Sequence, residues 1–175
     1  MNMNRRKFII RSTLLLGTLG FGNLYWKNRW KYIVIHHSAG SFGNIDFLQR
    51  VHRQRQGNDP VHAIPYHYII GNGNGLAIGE IANDWRQHYN IWGAHVSKRN
   101  FDYNFRGIGV CLIGNLENEK IPPKQYLSLR HLTQTLMSKY DILPENVTGH
   151  GMITGESTKC PGKFFPMERL IRDIS

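Results

Sequence analysis

Two imidazoles and one thiol carry the chemistry that can be read in this chain. His36 ends the largely apolar run "YIVIHH", and His150 and Cys160 lie in "TGHGMITGESTKCPG". Neutral imidazole and thiolate are donors that zinc prefers. Three protein donors are the number a catalytic zinc site uses, leaving a fourth position for water or a substrate carbonyl. A structural zinc site closes with four, and the chain has only 2 cysteines, Cys111 and Cys160. Taken alone, a histidine ten residues before a cysteine is a weak signal. Joined to His36, it describes a candidate Zn2+ centre. The doubled histidine needs its own account, because successive strand residues point to opposite faces. At most one of His36 and His37 can face a given site, so the other needs a different job, either as a core histidine with its polar atoms satisfied or as a support behind the site.

These residues need elements to hold them. Residues 32–39 read as a strand that is apolar on both faces, hence central in a sheet. Asn44 caps a helix carrying Ile45, Leu48 and Val51 at helical spacing, which Gly57 ends. Residues 64–70 ("IPYHYII") read as a strand, and "GNGNG" turns it into a hairpin with "LAIGEI". Residues 107–115 ("GIGVCLIGN") read as another buried strand. Pro122 and Pro123 open a helix to Tyr140, with Leu127, Leu129, Leu132, Leu136 and Met137 on its apolar face. Residues 145–151 read as a last strand ending in His150, and a short helix spans 167–174. Strands and helices interleave without strict βαβ alternation. The fold class expected is α/β, a mixed central β-sheet flanked by helices.

Five stretches in order then show a resemblance: "VIHHSA", "PYHYIIGNGNG", "WGAHVS", "GIGVCLIGN" and "TGH…TKCPG". The chain resembles the zinc-dependent N-acetylmuramoyl-L-alanine amidases related to phage amidase-lysozymes and to animal peptidoglycan recognition proteins. The resemblance runs from about Tyr32 to Gly162. It implies a mixed sheet flanked by helices with a zinc site in a groove, and peptidoglycan or muropeptides as the partner. It implies His36, His150 and Cys160 as metal ligands. Tyr66 matches a tyrosine used near the developing oxyanion. Thr158 matches a position that contacts the same intermediate, and the role is not moved to its neighbour Lys159. His95 in "GAHVS" matches a groove histidine, and it is assigned with Asn104 and Arg106 to substrate binding. The spacing from His150 to Cys160 is longer than is usual in the family. A longer loop costs little entropy and leaves its anchors in place. "QGNDPVHAIPY" also departs from the family and alters a groove wall. No H-E-x-x-H motif supplies a general base, and Glu80 is a candidate for it. Family members that only bind peptidoglycan often lack the thiol. Cys160 therefore favours an enzyme, with a non-catalytic peptidoglycan-binding module as the alternative. A disulfide between Cys111 and Cys160 is a rival use of the thiol in an oxidising compartment.

The formal charge of +10 suggests nucleic acid at first sight. Seven of the 22 basic residues lie in residues 1–31, where there is no acid, leaving 15 basic against 12 acidic residues in the remainder. That body is only mildly basic, and no nucleic-acid partner is expected. The opening "MNMNRRKFIIRSTLLLGTLGFG" has paired arginines before a modestly apolar run and resembles a twin-arginine export signal. The expected organisation is a signal or membrane anchor over 1–28 and one zinc amidase domain over 29–175. The expected location is the periplasm or cell envelope, with inner-membrane tethering open, and the expected state is monomeric.

Overall fold

A computed structural model describes residue 26 and residues 29–175. The signal or anchor reading of 1–28 falls, Trp26 apart, outside the described residues. Trp26 packs edge-on against Trp92 and Phe105, with ring centroids 6.3 and 5.9 Å away. Among the described residues no helix is long and apolar enough to cross a membrane.

Five strands form one sheet: β1 (Tyr32–His37), β2 (Tyr68–Ile70), β3 (Ile81–Asn83), β4 (Gly107–Leu112) and β5 (Val147–Gly149). Their order is β3-β2-β4-β1-β5. β1 pairs in parallel with β4 and with β5, and β2 pairs in parallel with β4. Only β3 runs antiparallel, against β2. The sheet is therefore mixed, with β1 and β4 buried at its centre as their apolar runs required.

Among the described residues, five α-helices of defined range flank it: α1 (Ile45–Arg55), α2 (Trp85–His88), α3 (Phe101–Arg106), α4 (Pro123–Tyr140) and α5 (Met167–Ile174). Asn44 caps α1 by accepting the Phe47 N–H at 2.9 Å. α4 opens on Pro123, where a missing N–H costs nothing, and stops at Asp141 in a left-handed conformation (φ 54°).

Strand alternation sorts the two faces. Ile33 and Ile35 join Ile108, Val110 and Leu112 against Leu129, Leu132 and Leu136 of α4 and Leu170 and Ile174 of α5. On the other face Ile69 and Cys111 pack with Leu48 of α1, Ile64 and Tyr66. Val34 and His36 belong to this second face, where Val34 packs with Val96 and Ile153. The functional residues gather there.

Several boundaries differ from the sequence expectation. Only Tyr68–Ile70 of the expected 64–70 strand is assigned as strand, and its antiparallel partner is Ile81–Asn83, which overlaps "LAIGEI" at Ile81 alone. The ten residues between form a turn-rich loop in which Gly73 and Gly75 take positive φ. The glycine run signalled a reversal of direction but not its length. Glu80 lies in this loop before β3, and its carboxylate accepts the Ala77 N–H at 2.9 Å. Leu127 is 51% exposed, off the buried stripe of Tyr126, Leu129, Leu132 and Leu136. The last strand stops at Gly149, and His150 opens a short 3-10 turn.

Candidate functional site

β1 and β5 end side by side, with Ile35 opposite Gly149. This puts His36 and His150 at adjacent strand ends, their rings 4.7 Å apart. The following loop returns Cys160 to the same place. The donor atoms of His36, His150 and Cys160 lie within 4.8 Å of one another. His36 Nδ1 is 3.7 Å from Cys160 Sγ. Tetrahedral zinc at ordinary bond lengths would hold such an N and S about 3.6 Å apart. The donor set and its spacing therefore fit a zinc ion.

Each donor is fixed from behind. His36 is 1% exposed, and its Nε2 is 3.1 Å from His95 Nδ1. That leaves Nδ1 toward the cysteine. Burial, with four other histidines near, holds His36 well below the usual imidazole pKa and so neutral. His150 Nε2 is 3.0 Å from Glu156 Oε2. Cys160 Sγ accepts the His37 backbone N–H at 3.3 Å. Burial pushes this thiol up to about 12, partly offset by that N–H. A bound cation reverses this preference and takes the thiolate. Cys111 and Cys160 are both free thiols, with no disulfide between them.

His37 shows what the second histidine does. Its ring lies on the opposite face, where Nδ1 accepts the Leu116 N–H at 3.0 Å. The ring pins the loop after β4 while its own amide steadies the sulfur.

Tyr66 lies beside the cluster, its ring 5.0 Å from that of His36 and 5.4 Å from that of His52. It is 7% exposed. Burial, with the thiols of Cys111 and Cys160 near, raises its hydroxyl well above the usual phenol range. Tyr66 stays a donor at neutral pH. Thr158 is exposed next to the cluster, and its Oγ1 accepts the Cys160 N–H at 3.2 Å. Lys159 pairs with Glu117 at 3.5 Å instead of joining the site.

Of the three residues expected to bind substrate, Asn104 lines a cleft together with Trp92 and Ser97. His95 is 5% exposed and lies behind His36, its Nε2 3.3 Å from the Gly107 carbonyl. Asn104 is 8% exposed; its Oδ1 accepts the His95 and Val96 N–H groups, and its Nδ2 donates to the Val96 carbonyl. Its hydrogen bonds shape the loop that carries His95. Arg106 pairs with Asp102 one helical turn away. It precedes Gly107, which pairs with Tyr32 at the far end of β1 from His36. None of the three lines the metal-facing side of His36. A sequence motif identifies a residue type, whereas the sheet register decides which end of the fold it reaches.

The glycines of "GIGV" make room for His95. A Cβ at Gly109 would lie 2.7 Å from His95 Cδ2 and 2.9 Å from Cγ, and one at Gly93 would lie 2.2 Å from Cδ2. The ring is wedged between two bare backbones. Gly109→Ala should therefore cost about 1–3 kcal/mol through overpacking, read by urea unfolding of the variant. Unchanged stability would mean that the ring can leave this slot freely.

Two features escaped the sequence reading. Glu156, in the long loop before Cys160, is held at Oε1 by Ser97 N–H (3.0 Å), Ser97 Oγ (2.6 Å) and Asn100 Nδ2 (2.7 Å). Despite desolvation, those donors and His150 hold its carboxyl down at about 2, so it is ionised. Buried Arg86 pairs with Asp59 and donates to the carbonyls of Ile64 (2.7 Å) and Trp92. It thereby ties the divergent 56–63 segment to the core. Neither residue had a spacing signal, since each partner lies in another loop. Two clefts of about 410 Å³ are present, and the second includes Cys160 of the cluster. One is lined by Arg55, Asp59, Trp92, Val96 and Ser97, the other by Met152, Thr158, Lys159 and Cys160.

Comparison with known proteins gives concordant findings. A family model described as N-acetylmuramoyl-L-alanine amidase matches residues 26–163. No curated protein matched the chain. Among solved structures, the chain is similar to the N-acetylmuramoyl-L-alanine amidase LysC from Clostridium intestinale URNW, at 27% identity and TM-score 0.70, covering 85% of this chain and 87% of that one. It is similar to wild-type Drosophila PGRP-LB at 26% identity and TM-score 0.56, covering 83% and 79%. Apis mellifera PGRP-SA shares the fold at 23% identity and TM-score 0.63, covering 80% and 81%.

Proposed function

The chain belongs to the N-acetylmuramoyl-L-alanine amidase family, and from that premise we propose that it hydrolyses the amide bond joining N-acetylmuramic acid to L-alanine in peptidoglycan. The observation that carries the reading is the convergence of His36, His150 and Cys160 beside Tyr66. Those three residues would hold zinc, which when bound lowers the pKa of a coordinated water toward ~7 and polarises a carbonyl.

The chain's own groups supply the rest. Tyr66 keeps its proton and can donate to the carbonyl oxygen as negative charge develops there. Thr158 accepts from the Cys160 amide through a lone pair, which leaves its hydroxyl proton for the same oxygen. His36 and His150, each braced at Nε2, present Nδ1 to the ion without side-chain rearrangement. The cleft lined by Thr158 and Cys160 gives a substrate room beside the cluster.

The twin-arginine-like opening supports export to the periplasm or cell envelope, with a tether to the inner membrane if the segment is retained. There the monomer meets intact wall or released muropeptides. The fold shared with peptidoglycan recognition proteins supports the second reading, a module that binds peptidoglycan without cutting it. Zinc-loaded protein incubated with purified peptidoglycan separates the two. Free stem peptides beginning at L-alanine, identified by mass, are expected. Retention on the wall without release would identify the binding module, and new reducing ends would mean glycan cleavage instead.

A further inference from the structure

His36 and His150 are both braced at Nε2, and both braces lead to one stretch of chain. His95 meets His36 directly. Ser97 and Asn100 meet Glu156, which meets His150. Glu156 is anchored in its own right, with three donors on Oε1 and a side chain 5% exposed.

We propose that Glu156 is a positioning residue for the metal: its Oε2 accepts the Nε2 proton of His150, fixing the tautomer whose Nδ1 lone pair faces His36 and Cys160. This rests on the zinc reading above and adds to it the residue that selects the ligand's tautomer. The logic lies in the donor count. Oε1 is claimed by the Ser97 N–H, the Ser97 hydroxyl and the Asn100 amide. Only Oε2 is left for His150, and a carboxylate can only accept. The histidine must therefore carry its proton on Nε2. A partner that fixes ring orientation in this way is typically worth about 10–100-fold in metal affinity. The length of the loop between His150 and Cys160 is what lets Glu156 fold back onto His150. The segment 95–100 thereby steadies both imidazoles, and its own shape is held by Asn104.

The isosteric variant Glu156→Gln makes a counter-intuitive test. The three donors would keep the amide oxygen, turning the amide NH2 toward His150 Nε2. The ring would then have to accept there and carry its proton on Nδ1, which cannot ligate. Zinc dissociation constants by chelator competition at neutral pH should rise about 10–100-fold for Glu156→Gln and similarly for Glu156→Ala. A role limited to filling space predicts that Gln stays near wild type. Independently of metal, 15N chemical shifts of His150 in the metal-free protein should report Nε2–H in wild type and Nδ1–H in Glu156→Gln. Glu156→Gln affinity within about twofold of wild type, or Nδ1–H in the wild-type protein, would overturn the proposal. Wild-type protein that takes up no zinc while its His150 shows Nε2–H would instead defeat the metal reading and leave the tautomer assignment standing.

Discussion

Cys160→Ala should lose zinc and hydrolysis together. The sulfur is 3.7 Å from His36 Nδ1, accepts the His37 N–H, and is the one anionic donor among the three ligands. Two neutral imidazoles remain in the variant, with no negative charge to offset a divalent ion. Lewis-acid stabilisation worth several kcal/mol goes with the metal, so turnover should fall by about a thousandfold or more. The fold should survive, because one sulfur is removed from the edge of the core and the His37 ring still holds the Leu116 amide. Metal analysis of the purified variant and release of stem peptides are the two readings. Full activity, or full zinc occupancy, would show that the ion is held elsewhere.

Tyr66→Phe should separate what Cys160→Ala joins. The ring packs against Leu48, Ile64 and Ile69, and phenylalanine keeps all of that contact. Only the hydroxyl is removed, and no ligand depends on it. Zinc content should therefore match wild type. The raised hydroxyl pKa means that the group is a donor and not a base at working pH. Loss of one donor to a developing oxyanion typically costs about a hundredfold to a thousandfold in kcat. The loss should fall on kcat and on kcat/KM alike, because the interaction is made only in the transition state. A variant within about threefold of wild-type kcat would remove Tyr66 from the mechanism. Comparable loss of zinc would make it a structural neighbour of the ligands instead.

The two variants and the Glu156 pair probe three layers of the proposed arrangement: the anionic donor proposed for the ion, the hydroxyl proposed to meet the substrate, and the brace behind a histidine. His95 belongs to the third layer. Its burial between Gly93 and Gly109 places it against the far nitrogen of His36. Asn104 spends its side-chain hydrogen bonds on the backbone of His95 and Val96 at the edge of a cleft, and Arg106 pairs with Asp102 at the other end of the sheet.

The amino-acid sequence determined by itself the donor set, the central strands and the terminal helix. Imidazole and thiol are chemically distinctive, buried parallel strands are apolar throughout, and the apolar repeat over 167–174 is local. Alternation along β1 also sent His36 and His37 to opposite faces before any partner was known. Only the tertiary structure decided what stands behind those donors. Of the 64–67 segment, His67 donates its N–H to the Gly109 carbonyl of β4, whereas the Ile64 carbonyl goes to Arg86 and the Pro65 carbonyl to the Ala94 N–H, partners that no local pattern foretells. Leu127 faces out because the helix stripe is set by what α5 and the sheet offer, not by the count of leucines. Glu156 found His150 because two loops, 95–100 and 151–159, close over the same strand ends. Periodicity acts over a few residues. Contacts such as Ser97 with Glu156, 59 residues apart, depend on sheet register and loop closure, and local patterning carries no record of them.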